Sequence, residues 1–246
     1  EGVAFLRSMS DTWAPCNSFM YTHNWWHLAL FLIDLDRTGE ALALFDGHVW
    51  GVDKDFSEDQ VNAVSLLARL ELHGAEVGGR WADVAAHLKP RLHEHFTPFL
   101  DLHYLYGLAR GGEDNAVTEM LASLEDRAER ATESEREAWA DCAVPAAHGL
   151  AAHAKGDHAA AARYLGQALP HLAAIGGSIA QRALFGAIHL DAMMRSGWND
   201  AALKVLQADD RERPTVPATK RALAALLRVS DAASSLGGGL EPVHAA

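Results

Sequence analysis

Apolar residues recur along almost the whole chain at intervals of three or four positions, the period of an amphipathic α-helix, and rarely with the alternation of a β-strand. Alanine and leucine dominate these segments, whereas the β-branched and aromatic clusters that mark strands are scarce. Glycines and prolines interrupt the pattern where helices are expected to end. The pattern predicts about ten or eleven helices and an all-α fold.

Helix boundaries are marked by three pairs with the spacing of a capping box, in which a Ser or Thr and a Glu or Gln satisfy the free amides of a first helical turn. These pairs are Ser57 with Gln60, Thr132 with Glu135, and Ser178 with Gln181. A proline, Pro90, is expected to end or kink the helix that begins near Trp81.

One unit recurs along the chain: a helix rich in small residues, a turn with glycine, and a second helix. The clearest copy spans residues 149–165 with its turn at Gly156, and similar turns contain Gly39, Gly111–Gly112 and Gly197. Because such a hairpin cannot bury its apolar face alone, neighbouring hairpins must stack. We therefore predict a right-handed stack of antiparallel helical hairpins, a degenerate tetratricopeptide-like α-solenoid, over residues 1–230. Residues 231–246, rich in Gly, Ser and Ala, are expected to form a flexible tail.

The net charge of the chain limits which partners it is expected to bind. The 246 residues include 33 acidic and 21 basic side chains, for a net charge of −12, and no run of Lys and Arg. This balance argues against binding to nucleic acid or to an anionic membrane surface.

The longest apolar stretch, residues 25–33, is shorter than the roughly 20 residues that span a bilayer. The two cysteines are far apart, without metal or redox spacing, which favours a reducing, cytoplasmic compartment.

The first candidate for chemistry is a polar segment inside an apolar helix. His23 and His27 project side by side, Asn24 and Trp26 flank them, and Asp34 returns to nearly the same face three turns later. Paired imidazoles could hold a divalent metal or act as general acid and base. They could equally form hydrogen bonds between helices. A site without a cofactor is the favoured prediction, and a metal at the two histidines is the alternative, because the metalloprotease pattern is not present.

Other polar side chains add to this set. Asp101 could orient an imidazole, and His103 lies two positions after it. Arginine can fork onto a carboxylate and tryptophan can stack on a planar ligand, although tryptophan is more often a core residue. The further candidates to bind a ligand are Asp46 and His95, from His- and Asp-rich segments, and Arg69, Arg80 and Trp81.

The segment Gly176-Gly177-Ser178-Ile179-Ala180-Gln181-Arg182 contains a serine between glycines and small residues. A nucleophile elbow would need Gly-x-Ser-x-Gly after a strand, and here Ala180 replaces the second glycine. Helix capping explains Ser178 and Gln181, whereas it does not explain Arg182. All three are candidates to bind a ligand.

These motifs occur in an order that resembles the C-terminal half of the tetratricopeptide repeat protein 38 family, over essentially the whole of residues 1–230. The matching pieces include His23-Asn24-x-Trp26-His27, Gly39-Glu40, Leu67-x-Arg69-Leu70-x-Leu72, Gly79-Arg80-Trp81, Phe99-x-Asp101-x-His103 and the segment from Ile175 to Arg182. The resemblance implies an α-helical repeat fold and no established reaction. Asn62 stands where the family tends to have Asp, which puts a metal-binding or basic role at that position in doubt.

Two functions follow from these observations. The first is a tetratricopeptide-like protein that binds a peptide or a small anionic molecule in a concave groove lined by His, Asp and Arg. The second is an enzyme with an enclosed pocket, in which His23 and His27 act as acid, base or metal ligands together with Asp101 and His103. Either protein could act as a homodimer.

Overall fold

The structure, a computed structural model, describes residues 1–237, and within that range it contains twelve α-helices and no strand. The prediction of an all-α fold is confirmed. The helices are α1 (Gly2–Met9), α2 (Ser18–Asp34), α3 (Thr38–Leu44), α4 (Ser57–Leu72), α5 (Arg80–Leu88), α6 (Pro98–Arg110), α7 (Asp114–Glu129), α8 (Val144–Ala154), α9 (His158–Ala168), α10 (Ile179–Arg195), α11 (Asn199–Glu212) and α12 (Pro217–Gly237). None of these twelve helices has both the length and the apolar character needed to cross a bilayer.

Short irregular helical segments join several of the α-helices. They are 3₁₀ turns at Ser10–Thr12, Lys89–Arg91 and Leu169–Ile175, and π-helical turns at Phe45–Val49 and Glu137–Ala143. The expected effect of Pro90 is confirmed, because α5 ends at Leu88 and the proline lies in the 3₁₀ turn that follows. A proline lacks the amide hydrogen that would continue an α-helix.

The capping predictions had different outcomes. Ser178 and Gln181 form the complete capping box at the start of α10, as predicted. The prediction for Ser57 was wrong: α4 begins at that residue, and the preceding Phe56 occupies the cap position without a side-chain bond. Gln60 is buried, and its side-chain amide instead donates to two backbone oxygens outside the helix. Burial between helices therefore determines the partners of Gln60.

Helix α4 lies at the centre of the structure. It packs against α2, α5, α6 and α10, and every residue from Asp59 to Leu70 is buried. The even-numbered helices α2, α4, α6 and α8 pack in succession, and each odd-numbered helix from α3 to α11 packs on an even-numbered neighbour. Helix α10 also returns to α4, and α12 contacts α2. As a result, polar side chains on α4 face the interior.

The α8–α9 hairpin illustrates how small residues bring two helices together. A Cβ atom added to Gly149 would lie 2.7 Å from the side chain of Leu165 and 3.0 Å from its backbone nitrogen. Gly156 has a φ of +80°, the left-handed conformation that reverses the chain between the two helices. The turn at Gly156 places the end of α8 directly beside the start of α9, where His153 and His158 meet.

The C-terminal helix, α12, crosses the predicted domain boundary at residue 230. Helix α12 continues to Gly237, so residues 231–237 of the expected flexible tail are helical. Residues 238–246 of that predicted tail lie outside the described part of the chain.

Candidate functional site

A row of polar side chains on α4 faces α2 and α10. Asn62, Ser65 and Arg69 follow one another at helical spacing and are all buried. The Asn62 side-chain oxygen lies 3.0 Å from His23 Nδ1, and its amide donates to Thr22 Oγ1 at 3.2 Å. Because an amide oxygen only accepts, the Nδ1 atom of His23 carries the proton.

The two histidines of α2 contact each other as aromatic rings. The ring centroids of His23 and His27 are 4.6 Å apart in an edge-on arrangement, and His23 stacks on Trp26 at 5.1 Å. Burial, and then the neighbouring His23, lower the pKa of His27. Asn24 lies half-buried on the same helix. Among residues 1–237, neither histidine belongs to a group of three potential protein ligands for a metal.

Arg69 is the most unusual of the candidate residues. Its side chain is buried, and its guanidinium donates to Ser65 Oγ at 2.5 Å and to the backbone oxygen of Ala180 at 2.7 Å. The guanidinium also lies 5.6 Å from the ring centroid of Trp26. Burial lowers the pKa of Arg69 to about 10, and the more distant Asp34 only partly opposes this effect. Within the described residues, no carboxylate forms a salt bridge with this arginine.

A cavity of about 600 Å³ opens beside Arg69, bounded by α2, α4, α10, α11 and α12. We call it the Arg69 cavity. Its apolar wall consists mainly of Leu30, Ile33, Leu72, Ala183, Ala187, Leu190, Met194 and Leu206. Its polar side includes Arg213, which bonds Asp209 at 2.7 Å and approaches Asp34 at 3.5 Å, and Arg221, which pairs with Asp36. These two arginines have carboxylate partners, unlike Arg69.

His103 and Asp101 both lie on α6 but form no hydrogen bond with each other. His95 has a positive φ of 45°, and its Nδ1 lies 2.7 Å from the buried Asp101 carboxylate while its Nε2 contacts Ser123 Oγ at 2.6 Å. Burial raises the pKa of Asp101, although the hydrogen bond from His95 acts in the opposite direction. The imidazole that Asp101 orients is therefore that of His95, in a cluster separate from Arg69.

His103 faces the interior from α6. It is 0 % exposed, and its Nδ1 donates to the backbone oxygen of Phe99 at 2.7 Å. Its Nε2 is buried and has no hydrogen-bond partner among the described residues. Burial, and to a smaller extent the charge of Arg69, lower the pKa of His103 to about 4, so the ring is neutral at physiological pH. A neutral, enclosed ring is typical of a core position.

Four other candidate residues, Asp46, Arg80, Trp26 and Trp81, lie outside the lining of the Arg69 cavity. Asp46 and Arg80 form a bidentate ion pair with distances of 2.7 and 2.6 Å at the surface. Trp26 is 0 % exposed and Trp81 is 5 % exposed, so both are core residues and neither presents a free ring face to a groove. This was the alternative expected for Trp81.

The glycine-rich segment before α10 is also explained by local structure. The Ser178 hydroxyl accepts from the Gln181 backbone, and the Gln181 side chain accepts from the Ser178 backbone. The Arg182 guanidinium donates to the backbone oxygens of Gly176 and Gly177. The candidate residues thus occupy several separate places, and Arg69 and Asp34 are the two that line the Arg69 cavity.

A second cavity contains residues that the sequence did not single out. Its volume is about 540 Å³, and its walls include Tyr106, His153, His158, Asp191 and Arg195. We call it the His153 cavity. The sequence signal that could have found it is the pair His153 and His158, which flank the Gly156 turn; the turn itself was used only to locate a repeat.

Searches with protein-family models and of solved structures found no match to this chain.

Proposed function

We propose that this chain is a tetratricopeptide-like helical-repeat protein that binds a small molecule with an anionic head and an apolar body in the Arg69 cavity. The observation that carries the proposal is a buried arginine without a carboxylate partner at the wall of a large cavity.

The charge of Arg69 supports an anionic ligand. A buried cation is costly unless it is paired; both hydrogen-bond acceptors of Arg69, Ser65 and Ala180, are neutral, and the charge of Asp34 acts only from a greater distance. A carboxylate or phosphate oxygen placed beside the guanidinium would form a charge-assisted bond and offset the cost of burial. The planar guanidinium favours such oxygens over a neutral group.

The apolar wall of the Arg69 cavity supports an apolar body for the same ligand. Leucine, isoleucine, alanine and methionine side chains from α2, α4, α10 and α11 line most of that wall. Burial of apolar ligand surface contributes about 25 cal/mol per Å². The combination of a few polar groups and an apolar wall is typical of small-molecule sites.

The packing order of the helices supports the tetratricopeptide-like part of the proposal. Helices α2, α4, α6 and α8 follow one another as neighbours, and short turns join each of them to an odd-numbered helix. From α2 to α9 this alternation fits a stack of antiparallel hairpins, whereas α10 and α12 depart from it by packing on α4 and α2. The resemblance to the tetratricopeptide repeat protein 38 family, a cytoplasmic location and a homodimer remain predictions from the sequence.

An enzyme based on His23 and His27 is the weaker candidate. General acid–base catalysis needs a partner that sets the protonation of the base, and in the described part of the chain Asn62 is the side chain that bonds His23. No carboxylate in that part pairs with either ring. A peptide as ligand is also weaker, because the arginine lies inside a cavity.

Titration calorimetry with octanoate as the probe tests the proposal. We expect one equivalent of octanoate to bind per chain, and octanol, which has the same apolar body without the charge, to bind at least about tenfold more weakly. Arg69→Met should weaken octanoate binding by about tenfold or more, because a hydrogen bond to a charged group contributes roughly 1.5–3 kcal/mol. The matched control is Arg80→Met, which removes an arginine already paired with Asp46.

Two results would overturn the proposal. One is octanoate binding that Arg69→Met leaves unchanged, and the other is an equal loss in Arg69→Met and Arg80→Met. A crystal structure with bound octanoate away from α4 and α10 would overturn it as well. Circular dichroism of each variant establishes that the helical fold is retained.

A further inference from the structure

The turn between α8 and α9 brings two histidines together. His153 lies near the end of α8, His158 is the first residue of α9, and Gly156 reverses the chain between them. Their ring centroids are 5.5 Å apart. From α10, Asp191 places Oδ2 at 2.9 Å from His153 Nε2. One potential ligand atom from each of the three side chains lies within 4.8 Å of the others.

We propose that His153, His158 and Asp191 bind one divalent transition-metal cation, with zinc as the best fit, and leave at least one coordination position open to the His153 cavity. Two imidazoles and one carboxylate are a ligand set that suits zinc and non-haem iron. Three protein ligands beside a cavity are typical of sites where the metal also contacts a water or a substrate.

The unpaired nitrogen of His158 points to a missing ligand. Its Nδ1 is buried and has no hydrogen-bond partner among the described residues. A buried nitrogen without a partner costs free energy, and a cation at this place would remove that cost.

The Asp191 carboxylate already lies among groups that donate to it, because its oxygens face His153 and Arg195. Arg195 contacts both carboxylate oxygens, at 3.0 and 2.8 Å, yet its side chain is 58 % exposed. The Arg195 side chain can turn toward solvent when a cation binds the Asp191 carboxylate.

Tyr106 is placed to orient the metal-binding nitrogen of His153. Its hydroxyl oxygen lies 3.1 Å from His153 Nδ1. Without a metal, His153 Nε2 donates to Asp191 and Nδ1 accepts from the Tyr106 hydroxyl. A cation would replace the Nε2 proton, and Nδ1 would then carry a proton and donate to the hydroxyl oxygen. A tetrahedral zinc site needs ligand atoms about 3.4 Å apart, given zinc–nitrogen bonds of roughly 2.0–2.1 Å. That value lies between the 2.9 Å that separates His153 Nε2 from Asp191 Oδ2 and the 4.8 Å within which all three ligand atoms lie.

Equilibrium dialysis against Zn²⁺, with Co²⁺ as a spectroscopic probe, tests the site in the tag-free chain. We expect one tightly held Zn²⁺ per chain and, for Co²⁺, a visible absorption typical of low-coordinate nitrogen and oxygen ligation. His158→Ala and Asp191→Asn should each weaken Zn²⁺ binding by more than the roughly 10- to 100-fold that loss of an outer hydrogen-bond partner costs. Tyr106→Phe should fall within that smaller range.

The matched control is His171→Ala, which removes a partly exposed histidine outside the cluster. It should leave Zn²⁺ affinity and the Co²⁺ spectrum unchanged. The proposal is overturned if His158→Ala and Asp191→Asn bind Zn²⁺ as the natural chain does, or if the control loses as much affinity as they do. Because Asp191→Asn preserves side-chain shape, it keeps the test valid if the alanine variant unfolds.

Discussion

The buried ring of His103 should make the stability of this protein depend on pH. Its pKa is lowered from 6.5 to about 4 in the folded chain, mainly because the ring is completely buried. In the unfolded chain the ring titrates near 6.5. Between these two values the unfolded state binds more protons than the folded state, so the free energy of unfolding decreases as the pH falls.

The size of this effect follows from the two pKa values. Each pKa unit corresponds to about 1.4 kcal/mol, so His103 contributes about 3 kcal/mol at neutral pH that is fully lost below pH 4. Between pH 7.5 and pH 5.0 the expected loss is about 2 kcal/mol. Burial also shifts the pKa values of other groups, lowering that of His27 and raising that of Asp34.

A comparison with variants isolates the contribution of His103. Urea unfolding is measured at pH 7.5 and pH 5.0 for the natural chain, for His103→Leu and for His103→Gln. Because neither replacement titrates, both variants should lose about 2 kcal/mol less stability than the natural chain between the two pH values. The other titrating groups cancel in this difference, and the two variants should agree even if their absolute stabilities differ. A difference below about 0.5 kcal/mol in both variants would refute the assignment of a buried, neutral ring.

Three further substitutions test the structure at separate places. Asp46→Ala breaks an exposed ion pair with Arg80 and should change the free energy of unfolding by less than about 1 kcal/mol in urea titrations; a larger loss would contradict a surface role. Gly177→Ala should destabilise by about 2–4 kcal/mol in the same assay, because φ is +72° and the new Cβ would lie 2.6 Å from the Phe99 ring, and a neutral effect would disprove that contact. Arg69→Met should shift stability by no more than about 2 kcal/mol in either direction, since relief of a buried charge offsets lost hydrogen bonds. Loss of folding in that variant would contradict the argument.

The elements of the fold were predictable where the signal is local. Helical periodicity, the capping box at Ser178 and the break at Pro90 depend on residues within a few positions of one another. Ser57 matched the same capping pattern, yet Gln60 bonds backbone oxygens of other segments because it is buried between helices. Tertiary packing can thus override a local motif, and the sequence alone does not show which will dominate.

The candidate residues were predictable as individual side chains but not as a group. Helical spacing predicts that His23 and His27 lie side by side, and their rings are in contact on α2. The partner of His23 is Asn62, which lies 39 positions later on another helix. The sequence indicated this asparagine only as a departure from a family pattern. Which side of α4 faces α2 is decided by packing across the whole structure.

The His153 cavity was missed for the same reason. His153 and His158 are five positions apart, but no helical period joins them, because Gly156 reverses the chain between them. Asp191 and Tyr106 lie 38 and 47 positions away from His153 and meet it only after α6, α8 and α10 have packed. A search for ligand spacing within one helix therefore cannot find such a site.

The two cavities share part of their walls, and this has a thermodynamic consequence. Asp191 and Leu72 line both the Arg69 cavity and the His153 cavity, and α10 runs between them. The same helix provides the Ala180 backbone oxygen that Arg69 bonds and the carboxylate that lies 2.9 Å from His153. A ligand that shifts α10 to optimise its contact with Arg69 would also change the separation of Asp191 from the two histidines. Occupancy of either cavity must then alter affinity at the other by the same factor, since such coupling is reciprocal.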